Sequence, residues 1–364
     1  MQWWDKDLRQ RIVPFLCGWL VLGSTLASAA VDPPATQETN KLLEPKALVR
    51  GNRSPIRAMA FAPDNKTLAT GTEEGSVRLW DIAPTGAGRE RMVLAMPKDG
   101  GAVLSVEFSS DGKLLLTAGG KGDVIIWDLQ TSKPRVSAKI SSLASGRFSP
   151  DGRFALIARG ELGDNEEDLD HVQLLDASTL KKQQAIDVDF EFVFDAIFSP
   201  DGTAVAVSGG ESLTPTPASR GGQQRCAIEL WSLKPGGTST KGKRFGGDSG
   251  RPFRSATFSG GGKLLAAAAG DWLVWSVPES ALLTTLRASS YEGRVCAFSP
   301  NVRWLATGAL DSTVQLWNIK DWQSIYVNKG DTAAECNAIC FSPDGKWLAA
   351  ARRDLIVVFA VPTK

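Results

Sequence analysis

The sequence predicts an all-β chain folded as a seven-bladed β-propeller of four-stranded antiparallel blades, closed by an N-terminal strand that completes the last blade. Three observations predict it. A phrase ending in Phe and a polar turn recurs seven times, 40 to 60 residues apart, a period that marks stacked or radially arranged units. Side-chain bulk rises from small to large across each copy. The seventh copy reaches its third strand at Phe359, with only the residues to Lys364 beyond it.

The Phe-turn units begin at Phe61, Phe108, Phe148, Phe198, Phe258, Phe298 and Phe341. Those after Phe148, Phe198 and Phe341 continue as Ser-Pro-Asp-Gly and the others as variants of it: Pro presets φ, Asp bonds locally, and Gly takes the left-handed slot that closes a hairpin. Second strands such as Leu68-Ala69-Thr70-Gly71 and third strands such as Val124-Ile125-Ile126-Trp127 follow, with the alternation and β-branched content of strands. Less apolar segments, Glu90 to Met96 and Ala281 to Leu286, supply an outer strand. One such sheet cannot bury both faces alone, so copies stack on one another.

Residue size sets the stacking geometry. Inner positions are small, whereas the third strands end in Trp80, Trp127, Leu175, Trp231, Trp275, Trp317 and Phe359. Wedges narrow at an axis and wide outside make a propeller.

These copies resemble WD40 repeats, with Trp80-Asp81, Trp127-Asp128 and Trp317-Asn318 standing where that family has its Trp-Asp pair. The resemblance covers residues 46 to 364. It departs at the family's Gly-His dipeptide, which is absent; Gly51-Asn52 fills the first slot. The tetrad of hydrogen bonds that the resemblance implies is therefore not expected, leaving stability to apolar packing between blades. Lys46-Ala47-Leu48-Val49-Arg50 reads as an orphan outer strand that zips the ring shut and removes exposed edges.

Composition narrows the function. Lys+Arg 41 against Asp+Glu 40 leaves almost no net charge, so no nucleic-acid surface is expected. Residues 1–30 carry Arg9 and Arg11, an uncharged run and the small residues Ala27-Ser28-Ala29-Ala30, the parts of a secretory signal peptide. The alternative is an uncleaved membrane anchor. Export, periplasmic or secreted, is thus expected, with a flexible linker over 31–45 and one monomeric propeller over 46–364. Cys296 and Cys336 stand in apolar slots and read as small hydrophobes. Cys336 and Cys340, read as four apart on one strand, lie about 13 Å apart, beyond disulfide reach.

Chemistry has little raw material. A single histidine, His171, leaves almost nothing for His-based metal sites or Ser-His-Asp catalysis, and no cofactor is expected. An acidic insertion in blade three places Asp164, Glu166, Asp168 and Asp170 at alternating positions. Its functional reading is a weak Ca²⁺ candidate, but the spacing matches no EF-hand and charge runs are usually solvated loops, so no metal is expected. A second insertion, Gly209 to Cys226, joins the same strands of blade four.

Both insertions fall on the face where every innermost strand begins. Four residues before each Phe lie Arg57, Leu104, Ala144, Phe194, Arg254, Arg294 and Asn337. Arg57, Arg254, Arg294 and Asn337 are the expected partner-binding residues at the channel mouth; the alternative is that these arginines pair with Glu335, Glu292 or Asp331. The resemblance implies partner binding on this face. Two functions follow: a non-catalytic scaffold for a protein or peptide, or an exported hydrolase resembling lactonases and using Asp195 or Glu107. Those two carboxylates lie at different offsets from their Phe and are not expected to converge.

Overall fold

The computed structural model describes residues 41–83, 88–97, 100–160, 170–212, 224–234, 239–287, 292–329 and 334–363. Seven antiparallel sheets form in chain order, and one carries a fifth strand. Blade one runs outward from the channel as Ile56–Phe61, Thr67–Thr72, Val77–Asp81 and Arg89–Leu94. The innermost strands of blades two to seven are Val103–Phe108, Leu143–Phe148, Phe192–Phe198, Ser255–Phe258, Gly293–Phe298 and Ile339–Phe341. Each packs on the next, and the seventh returns to the first. None of the described residues forms a helix able to cross a membrane.

Closure comes from the N-terminal side. Pro45–Val49 pairs antiparallel with Leu355–Ala360 and becomes the outer strand of blade seven. The preceding residues, expected as linker, also join the sheets: Lys41–Leu42 pairs in parallel with Tyr326 and Val327 of blade six. Between these strands Leu43 is 3% exposed, and its carbonyl accepts a 2.7 Å hydrogen bond from Asn328 Nδ2. The same asparagine accepts from Arg352 of blade seven. A short segment thus ties blade six to blade seven.

The described residues contain seven apolar clusters, each shared between two neighbouring blades. One of them, with Val49, Phe61, Trp80 and Val358, joins the last blade to the first. The graded bulk explains the geometry: the second strand Leu264–Ala269 ends in four buried alanines. At Gly71 an added Cβ would stand 2.4 Å from Val103 of the next blade, and at Gly308 2.5 Å from Cys336 Sγ. Cys336 therefore fills space between blades as a small hydrophobe, and burial pushes its thiol up to about 12. Cys226, Cys296, Cys336 and Cys340 are all free; Cys17 lies outside the described residues.

Apolar packing is not the whole of the glue. In three blades the third-strand indole donates to a second-strand hydroxyl: Trp80 to Thr70 and Trp127 to Thr117 at 2.9 Å, Trp317 to Thr307 at 2.8 Å. In blade one the chain continues, Thr70 donating to Asn52 Oδ1 at 3.0 Å. Asn52 thus takes over the histidine's slot as an acceptor, and part of the tetrad survives its loss. Blade four shows the converse. Val207, two residues beyond the Val205 that pairs with Trp231, occupies the threonine slot, and the buried Nε1 of Trp231 has no partner among the described residues.

The turns follow the sequence closely. Gly112, Gly152, Gly202, Gly262 and Gly345 adopt φ of 68° to 71°, and Asn65 takes 62°. Val302 occupies the same slot at φ 54°, a conformation unfavourable for a β-branched residue. Ser109 donates to Asp111 and Ser199 to Asp201, hydrogen bonds that hold both carboxyls below their usual range.

Candidate functional site

The innermost strands line a central cavity of about 690 Å³, reaching from Arg57, Arg254 and Asn337 at one end to the Pro63, Pro150, Pro200 and Pro343 turns at the other. The residue four before Phe is special for a structural reason. In blades one to four and in blade six the ladder skips it, leaving a β-bulge between, for example, Ile56 and Ala58 or Val193 and Asp195. A bulge re-aims the unpaired side chain, and in blades one to four that residue lines the cavity.

Of the four expected binding residues, three line the cavity: Arg57, Arg254 and Asn337. Arg57 pairs with Glu73 at 3.0 Å, not with the carboxylates expected from the sequence. Glu292 is taken by Arg251 at 3.4 Å, and Asp331 lies outside the described residues. Arg254 is exposed and has no ion pair among the described residues. Arg294 is absent from the lining; Val295, Cys296 and Ala297 represent blade six there. Its displacement has a local cause. Trp272 of blade five donates its indole N–H to the Val295 carbonyl at 3.0 Å, and Gly293 bonds to Gly270, drawing the start of this strand toward blade five. Arg294 ends half-buried, its Nε without a partner among the described residues.

Farther down, Glu107, Arg147 and Asp195 from three consecutive blades share the wall. The expectation that Asp195 and Glu107 stay apart is corrected: both act on Arg147, which stands 3.6 Å from Asp195 Oδ2 and attracts Glu107. Register explains Glu107 and Arg147, each one residue before its Phe on adjacent strands. Burial raises the Glu107 carboxyl to about 7 against the pull of Arg147. Glu107 Oε2 accepts the Phe148 amide at 3.0 Å, and Ser105 Oγ accepts the Gly146 amide at 2.9 Å. These bonds satisfy inner-edge amides that have no strand partner on the channel side. Asp195 Oδ1 accepts its neighbour's amide at 3.0 Å. Both carboxylates are thus partly committed to holding the wall.

The second-to-third strand connections leave from the same end of their blades as the mouth residues. In blade four the ladder extends past the expected loop start, pairing Gly210 with Cys226 and Ser212 with Gln224. Of the acidic insertion, Asp164, Glu166 and Asp168 lie outside the described residues. Asp170 is described and pairs with Lys182 at 2.9 Å. Among the described residues no group of three or more His, Cys, Asp or Glu is placed to hold a metal.

Comparison with known proteins follows this geometry. The WD40 family description, "WD domain, G-beta repeat", matches residues 43–81, 92–128, 281–318 and 322–359. Each match starts near one blade's outer strand and ends on the third strand of the next, as 43–81 does from Pro45–Val49 to Asp81. The chain is similar to small ribosomal subunit protein RACK1y of Oryza sativa subsp. japonica, 31% identical over 91 residues, 25% of this chain and 26% of that one. It is also similar to eukaryotic translation initiation factor 3 subunit I of Aspergillus fumigatus, 35% identical over 105 residues, 28% of this chain and 29% of that one. The same subunit of Emericella nidulans is 33% identical over 108 residues, 28% and 30% of the two chains. The matches thus span less than a third of these relatives' lengths. Four matched repeats, and seven blades of one strand order, make this chain a WD40-repeat β-propeller.

Proposed function

We propose that this propeller is a non-catalytic scaffold that holds a protein or peptide partner at its channel mouth, with Arg254, Arg57 and Asn337 as the contact residues. The observation that carries the reading is Arg254: an exposed guanidinium at a cavity rim, with no ion-pair partner among the described residues. The names of the relatives agree with it, since each is a component of a larger assembly by name, a small ribosomal subunit protein and a subunit of an initiation factor. The hydrolase alternative gains nothing from the wall, where Glu107 and Asp195 each accept a main-chain amide. The same proposal includes export directed by residues 1–30, with cleavage after Ala29 or Ala30, and residues 31–40 as a spacer to a monomeric ring.

Capture of partners by the full-length chain, compared with an Arg57→Glu, Arg254→Glu variant of unchanged unfolding midpoint, tests the site. Loss of at least tenfold in captured partner is expected, because reversed charge at a rim repels what the native charge attracts. Equal capture removes the mouth from the account. N-terminal sequencing of the mature protein tests export, and a start at Met1 in material from the producing cell refutes cleavage.

A further inference from the structure

We propose that the channel is a binding site for a short dipolar peptide of about three residues, its free ammonium seated at Glu107 and Asp195 and its free carboxylate at Arg254. The inference goes beyond the scaffold reading and does not rest on it. It starts from the distribution of charge around the ring. Blades one to five contribute Arg57, Glu107, Arg147, Asp195 and Arg254 to the lining, alternating in sign. Blades six and seven contribute uncharged side chains, among them Val295, Ala297, Ala338 and Cys340. One arc is therefore charged and the other, apart from Asn337 at the mouth, apolar, which suits an occupant with an apolar flank.

The ledger of charge selects the class of occupant. Arg57 is neutralised by Glu73, leaving, among the described residues, two guanidiniums and two carboxylates facing the cavity. A net-neutral dipolar molecule matches that sum. A lone cation would pass the mouth guanidiniums unfavourably, and a lone anion would meet the carboxylates below. Glu107 Oε1 takes no hydrogen bond among the described residues, since only Oε2 holds Phe148. It is an open acceptor in the wall. Asp195, 6% exposed, keeps an oxygen 3.6 Å from Arg147, a loose pair that an ammonium can bridge.

Length follows from register. Arg254 lies four residues before its Phe, Asp195 three and Glu107 one, so the depth from Arg254 to the farther carboxylate, Glu107, is three residues, or about 10 Å along the channel. An extended tripeptide spans about the same distance between its termini. The cavity of about 690 Å³ falls in the range of small-ligand sites.

The test is a ligand-observed NMR titration of the full-length chain with trialanine, N-acetyl-trialanine and trialanine amide at pH 7.5, where Glu107 is mostly ionised and the peptide amine still largely protonated. Trialanine is expected to bind saturably, and each capped form at least fivefold more weakly. Glu107→Gln, which keeps an acceptor for the Phe148 amide, and Arg254→Gln are each expected to weaken trialanine at least fivefold and to shrink the penalty of the cap on the matching end. No saturable binding to the native chain, equal binding of capped and free peptides, or native affinity in both variants overturns the inference. Partner capture persisting in a chain that ignores trialanine sinks this inference and leaves the scaffold reading intact.

Discussion

Leu43 offers a sharp test of how the ring is held shut. It is 3% exposed within the cluster between blades six and seven, while its neighbour Leu42 is 68% exposed. Leu43→Ala removes three buried carbons, worth about 0.8 kcal/mol each, and leaves a partly relaxed cavity. The expected loss is about 3 kcal/mol, against about 0.5 kcal/mol or less for Leu42→Ala. Asn328→Ala belongs to the same device: it strips the Leu43 carbonyl of its donor and Arg352 of an acceptor, costing about 1–3 kcal/mol. Urea unfolding followed by tryptophan fluorescence reads all three variants. Equal midpoints for Leu43→Ala and Leu42→Ala would refute the reasoning, because the segment would then be lying on the ring rather than clasping it.

Further outcomes can be checked with the same assay. Val302→Gly is expected to stabilise by about 0.5–1 kcal/mol: it removes left-handed strain of about 1–2 kcal/mol, partly offset by the greater freedom of glycine in the unfolded chain. A loss of stability would show that Val302 is held by packing that outweighs the strain. Thr70→Val strands the Trp80 indole and should cost about 1–3 kcal/mol, whereas Val207→Thr supplies Trp231 with its missing acceptor and should cost less than about 1 kcal/mol; a reversed order would refute the relay. Glu107 binds its proton more tightly when folded, about 7 against 4.5, so its contribution to stability is full below pH 4.5 and is lost as pH rises through 7. Glu107→Gln should therefore gain about 1–3 kcal/mol on the native chain between pH 5 and pH 8, a figure reduced from the full shift because the side chain borders the channel. Parallel pH profiles for the two proteins would refute that assignment.

The sequence carried the blades and much less of the channel. Phe-turn units, graded bulk and the orphan strand before Arg50 each act within or between neighbouring segments, so their meaning survives in one dimension. Arg147 was missed because a charge one residue before Phe reads as an isolated exception. Only when blades two and three stand side by side does it meet Glu107, and a search for opposite charges at equal offsets in adjacent copies would have found it. Arg294 shows the opposite error. Counting back from Phe assumes seven identical inner strands, and Trp272 breaks that identity with one hydrogen bond from the neighbouring blade. Asn52 was located correctly, yet reading the missing histidine as a missing network overlooked that an amide oxygen accepts as well as an imidazole nitrogen.

Residue-resolved hydrogen exchange of the 45–49 segment decides whether the ring is closed by its own N-terminal strand. In an outer strand only the amides facing Leu355–Ala360 are bonded, so about half of this segment should exchange as slowly as the Leu355–Ala360 amides, which open only when the whole ring unfolds. Fast exchange throughout 45–49, with 355–360 still protected, would contradict the closure.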